Sequence, residues 1–109
     1  MTIPEISVKE AHTLLSGENP PRLIDVREPG EWEFCRIEGA ELLPLSQFGP
    51  AVLEKLSDPH QSLVIYCHHG SRSARVTDVL LRHGFTQVLN MAGGIDGWSR
   101  EIDPSIPRY

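Results

Sequence analysis

At 109 residues the chain has room for one domain with a modest hydrophobic core. Hydrophobic residues at 39% and charged residues at 23% are ordinary for a globular protein, which excludes a disordered or fibrous chain. A net charge of −5 argues against a general nucleic-acid binder but leaves room for a small local anion site, and no stretch approaches the ~20 apolar residues of a membrane span.

Met1-Thr2-Ile3-Pro4-Glu5 has neither a basic nor an apolar region, so no secretory signal is expected. Ser7-Val8-Lys9-Glu10 has the form of a capping box and predicts a helix through Ala11, Leu14 and Leu15 to Gly17. Asn19-Pro20-Pro21 reads as a turn, and Leu23-Ile24-Asp25-Val26 as a short buried strand. Residues 29–34 form a short helical turn, in which Glu28 and Glu31 read as a solvated face. Residues 42–45 form a short strand or extended segment ended by Pro44. Residues 51–56 read as a helix, with Val52 and Leu56 one turn apart.

Residues 62–66, Ser-Leu-Val-Ile-Tyr, are the clearest strand. The next helix is expected to start at Arg72 or Ser73 and to end at Gly84. Val76, Val79, Leu80 and His83 would share its apolar face. Residues 86–90 form another short strand, Gly93-Gly94 a turn, and residues 95–100 a last helix carrying Trp98. Residues 103–109, with two prolines, form an irregular tail. Short apolar strands alternating with helices predict an α/β fold, a parallel sheet of about five strands with helices on both faces, in one domain over 1–109.

Two cysteines, Cys35 and Cys67, are too few for a disulfide framework, so the chain reads as a reduced, cytoplasmic protein. Cys67 stands where an apolar strand stops and a helix is about to begin. Ligands of open α/β sheets bind at such positions. A lone cysteine there is most often a small buried hydrophobe. The loop Cys67-His68-His69-Gly70-Ser71-Arg72 tells against that reading. A tight turn into a helix aims successive N–H groups at one point, and positive potential there favours a thiolate. Gly70 permits the curl, and Arg72 is expected to hold an oxyanion. Ser71 and Ser73 are expected to cap the helix or to offer hydroxyls to the same anion. His68 and His69 read as loop residues that raise the local potential or handle a proton, and adjacency argues against both joining Cys67 on one metal.

Four ordered segments resemble the rhodanese domains, a family of sulfurtransferases. They are Asp25-Val26-Arg27-Glu28; Glu31 to Phe34 with Ile37 to Ala40; the C-x-x-G-x-R-S loop from Cys67 to Ser73; and Asn90 to Ile95 with Trp98. The chain departs from the family where Gly-His-Ile-Pro-Gly-Ala is usual, having Cys35-Arg36-Ile37-Glu38-Gly39-Ala40. Cys35 there reads as a packed thiol, with a resolving redox role as the alternative.

The resemblance implies a rhodanese-like three-layer sandwich and a double displacement. Cys67 takes a sulfane sulfur from thiosulfate or a persulfide donor and passes it to cyanide or a thiol. His68, His69, Gly70, Ser71, Arg72 and Ser73 form the substrate-binding loop. No metal or organic cofactor is expected. Expected partners are a small-molecule sulfur donor and acceptor, with a thioredoxin-like or other thiol protein as a further candidate, and neither nucleic acid nor membrane. Asp25 and Arg27 are assigned to structure, and Trp32 and Trp98 to core or cover. The rival readings are a sulfur-carrier or partner-binding module with little free turnover, and a cysteine phosphatase or arsenate reductase. Phosphatase loops of the C-x5-R form are one residue wider than the Cys67–Arg72 spacing.

Overall fold

The structure, a computed structural model, describes residues 2–109. Its elements in chain order are β1 (Glu5–Ile6), α1 (Val8–Leu15), β2 (Arg22–Asp25), α2 (Pro29–Phe34), β3 (Glu41–Leu42), α3 (Pro50–Leu56), β4 (Leu63–Tyr66), α4 (Ser71–Arg82), β5 (Val88–Met91) and α5 (Gly94–Glu101). The five strands form one sheet in the order β1-β5-β4-β2-β3, with every pairing parallel. This is the α/β architecture that the alternation of apolar runs and helices predicts.

The core follows from strand periodicity. Successive side chains of a strand point to opposite faces. Leu63, Ile65 and Cys67 therefore join Ile24, Val26, Val76 and Leu80 in a cluster beneath α3 and α4. Val64 and Tyr66 join Val8, Ala11, Ile95 and Trp98 in a second cluster beneath α1 and α5. The central strand β4 is buried along its whole length because helices cover both faces, which is why it reads as an unbroken apolar run. Cys35 and Cys67 fall in opposite clusters, and both thiols are free.

Three details depart from the sequence reading. β1 is not foreseen, because two residues carry no periodicity; it forms by pairing Glu5 and Ile6 with Asn90 and Met91 of β5. α4 starts at Ser71, with Gly70 as its N-cap and no capping side chain, so neither serine caps it. Its buried stripe is Ser73, Val76, Thr77 and Leu80, whereas Val79 is 39% exposed and His83 faces solvent. Packing against β4 and β5 selects that stripe, polar residues included, over the most apolar arc of the helix.

Candidate active site

β2 leads outward to β3, whereas the adjacent β4 leads the other way to β5. The crevice beyond the carboxyl ends of β2 and β4 is therefore a topological switch point, where α/β sheets bind ligands. Two loops meet there. One follows β2 and carries Arg27, Glu28 and α2; the other follows β4 and carries residues 67–72.

The β4 loop closes on its own thiol. Gly70 sits at φ +119, in the left-handed region that glycine adopts without strain, and its N–H donates to Cys67 Sγ at 3.1 Å. The buried Ser73 hydroxyl lies 3.4 Å from Sγ and 3.1 Å from the Gly70 carbonyl oxygen, so its single proton serves one or the other. Cys67 is 1% exposed. The expected ring of N–H donors is thus, among the described residues, one amide and one hydroxyl. The loop curls tightly enough to cover the sulfur, and its Cys67 and His68 carbonyls bond elsewhere.

Those other bonds fasten the loop to α5. Ile95 N–H donates to the Cys67 carbonyl at 2.9 Å, and Asp96 N–H to the His68 carbonyl at 3.1 Å. The close approach requires Gly94, at φ +58, because a Cβ there would fall 2.5 Å from the Cys67 carbonyl oxygen. Asn90 of β5 adds a side-chain N–H to the Gly70 carbonyl at 3.2 Å.

Arg72 does not reach into open space. Its two terminal nitrogens donate to the two carboxylate oxygens of Glu31 at 2.7 and 2.9 Å, a planar bidentate pair. Glu31 is therefore no part of a solvated face. The Arg72 hydrogen bonds, against the opposing effect of burial, hold its carboxyl down at about 2, and bonds from Tyr109 and from Glu28 N–H add to this. Glu28, the other half of the expected face, accepts from the Ser46 hydroxyl at 2.5 Å and so ties α2 to the turn after β3.

Beneath this pair lies Arg27, fully buried with Asp25. Its side chain reaches Asp25 Oδ2 at 2.7 Å, the Cys35 carbonyl at 2.7 Å and the Tyr109 hydroxyl at 2.9 Å. Asp25 and Arg27 thus pin loops, as the sequence reading assigned them.

The tail over residues 103–109 is irregular but anchored. Ser99 donates its hydroxyl to the Ile106 carbonyl at 2.7 Å, Arg108 bonds Asp96 at 2.9 Å, and Tyr109 donates to Glu31 at 2.6 Å. Burial and the Glu31 hydrogen bond push the Tyr109 phenol up to about 12. The Tyr109 ring stacks on His68 at 3.8 Å, nearly parallel, and His68 in turn contacts the His69 ring at 3.9 Å. Burial foremost, with His69 beside it, shifts His68 below the ordinary imidazole range. His69 is exposed, 3.9 Å from Asp96, and Ser71 is exposed at the start of α4.

The structure therefore gathers Cys67, His68, His69, Gly70, Arg72 and Ser73 at one crevice. It adds Glu31, Asp96 and Tyr109, which the sequence reading did not place there. Glu31 carried a signal, since its segment is one of the four that resemble the family. Tyr109, 78 residues from Glu31 and 82 from Arg27 along the chain, carried none.

The rhodanese-like domain family matches residues 7–101. The chain is 38% identical, over 98% of its length, to the rhodanese-like/PpiC domain-containing protein 12, chloroplastic, of Arabidopsis thaliana. It spans 38% of that protein's length, and 23% to 26% of several other curated relatives. It is 29% identical to the thiosulfate sulfurtransferase GlpE of Pseudoalteromonas translucida, covering 99% of this chain and 100% of that protein. Among solved structures, the human single-domain sulfurtransferase TSTD1 is similar with a TM-score of 0.76 at 28% identity, covering 92% of this chain and 98% of that one.

Proposed function

The chain belongs to the rhodanese-like domain family, and on that premise we propose that it is a sulfurtransferase in which Cys67 carries the sulfur as a persulfide. The observation that supports this most is the Gly70 N–H aimed at Cys67 Sγ from the N-terminal end of the twelve-residue helix α4. An amide donor and a helix N-terminus both favour negative charge on that atom, first as thiolate and then as persulfide.

In the first half-reaction the Cys67 thiolate attacks the sulfane sulfur of a donor. The new S–S bond forms as the donor's own bond to that sulfur breaks, and the donor leaves with the electron pair. Thiosulfate would release sulfite, and a persulfide RSSH would release RS⁻. In the second half-reaction a nucleophilic acceptor, cyanide or a thiolate, attacks the outer sulfur and returns Cys67 as thiolate. These steps draw on no metal or organic cofactor. Residues 68–73 form the wall along which donor and acceptor approach. The acceptor in the cell is a small thiol or a thioredoxin-like protein.

The test is mass spectrometry after treatment with a sulfane donor. The protein should gain one sulfur atom, and cyanide should remove it as thiocyanate. Cys67→Ala should show neither change. A Cys67→Ala protein that still forms thiocyanate at the wild-type rate would overturn the assignment. Cys67-dependent hydrolysis of an aryl phosphate would point instead to a phosphatase.

A further inference from the structure

Resting on that reading, we infer that Glu31 is a specificity-determining residue that directs the site toward singly charged organic sulfane donors and away from the thiosulfate dianion. The sequence makes Arg72 the natural holder of a donor's oxyanion. In the structure both terminal nitrogens of Arg72 are committed to the two oxygens of Glu31. Glu31 is itself held in place, because its Oε2 accepts the Tyr109 hydroxyl and its Oε1 accepts Glu28 N–H at 3.1 Å.

The other cations around the crevice are likewise occupied. Arg27 is buried and bonds to Asp25, Cys35 and Tyr109. Arg100 and Arg108 both bond to Asp96, at 3.2 and 2.9 Å. Burial and the neighbouring His69 disfavour a charge on His68. What lines the β4 loop instead is a column of three rings, Tyr109, His68 and His69, with Phe34 set edge-on to Tyr109 at 5.7 Å. Such a shelf packs against organic groups.

The charge balance gives this arrangement its consequence. Thiosulfate meeting the Cys67 thiolate assembles three negative charges beside a carboxylate and leaves as sulfite and Cys67-S-S⁻. An organic thiosulfonate RSO₂S⁻ assembles two and leaves as the sulfinate RSO₂⁻ and the same persulfide. With Arg72 neutralised, the third charge has no compensating donor.

Benzenethiosulfonate and thiosulfate are suitable probes. They deliver the same sulfur but differ by one charge and by an aromatic ring. The measured quantity is the ratio of kcat/KM for benzenethiosulfonate to that for thiosulfate, in wild type, Glu31→Gln and Tyr109→Phe. Glu31→Gln removes the carboxylate charge and frees one guanidinium N–H pair, so the ratio should fall about tenfold through a gain with thiosulfate, the effect expected of one charge-assisted hydrogen bond. Tyr109→Phe keeps the ring and the Glu31 charge but loses one tether, so the ratio should fall by a smaller factor. A general loss of folding would lower both donors together and leave the ratio unmoved. A ratio unchanged in Glu31→Gln, or raised, overturns the inference while Cys67 loading persists. If neither probe loads Cys67 in wild type, it is the sulfurtransferase reading that fails.

Discussion

Glu31 stays ionised well below the pH at which a free carboxyl takes up its proton, and folding is what makes this so. In the unfolded chain its carboxyl titrates near 4.5, whereas in the fold Arg72 above all holds it at about 2. A depressed carboxyl contributes stability that is complete above the unfolded value and is lost as the pH falls through the folded one. The denaturation midpoint should therefore drop between about pH 4.5 and pH 2, and less steeply in Glu31→Gln than in wild type. Equal slopes in the two proteins would mean that the Arg72 pair adds nothing to the fold. Cys35 lies on the other face of the sheet from Cys67. It is buried in the cluster beneath α1 and α5, with Arg27 Nη1 at 3.9 Å from its sulfur, which is the setting of a packed thiol.

Among the elements, α1 shows most directly how local sequence makes structure. Ser7 accepts Glu10 N–H at 3.0 Å while Glu10 accepts Ser7 N–H at 2.9 Å, so two of the helix's otherwise unpaired donors are satisfied reciprocally. Ser7→Ala should lower stability by about 1 kcal/mol, read as a shift of the urea midpoint at constant slope. No change in midpoint would show that tertiary packing of Val8 and Ala11 alone holds the helix. α4 was legible in extent but not in orientation. Its apolar residues are few, and the sheet accepted Ser73 and Thr77 because both hydroxyls find carbonyl partners, Gly70 and Ser73 respectively. A buried polar group so paired costs little. β3 was foreseen as an extended segment over 42–45, and its pairing does continue past the strand, with Leu43 and Leu45 N–H bonding the Asp25 and Val26 carbonyls.

For the molecule as a whole, the Asp25–Arg27 pair ties together parts that are remote in sequence. Through one guanidinium, β2 is linked to the carbonyl that ends α2 and to the tail at Tyr109. Removing one member strands a buried charge, so Arg27→Met should cost about 3–5 kcal/mol in chemical denaturation. Adding Asp25→Asn should restore part of that loss, because no unpaired charge then remains. A loss under about 1 kcal/mol for Arg27→Met would show that water reaches the site and that the pair is not the tether it resembles.

What the amino-acid order determined by itself was everything local. The alternation of strand and helix, the cap of α1, the glycine needed at position 70 and the thiol at the end of β4 depend on neighbours within a few residues. Each is dictated by backbone geometry and by burial of adjacent side chains. Only the tertiary structure decided that Glu31 would take Arg72 and that Tyr109 would bridge Glu31, Arg27 and His68. It also decided that two residues near the start would extend the sheet. These depend on which chain segments lie side by side at the carboxyl ends of β2 and β4. Pairing of charges and stacking of rings across tens of residues leaves no period in the sequence to read.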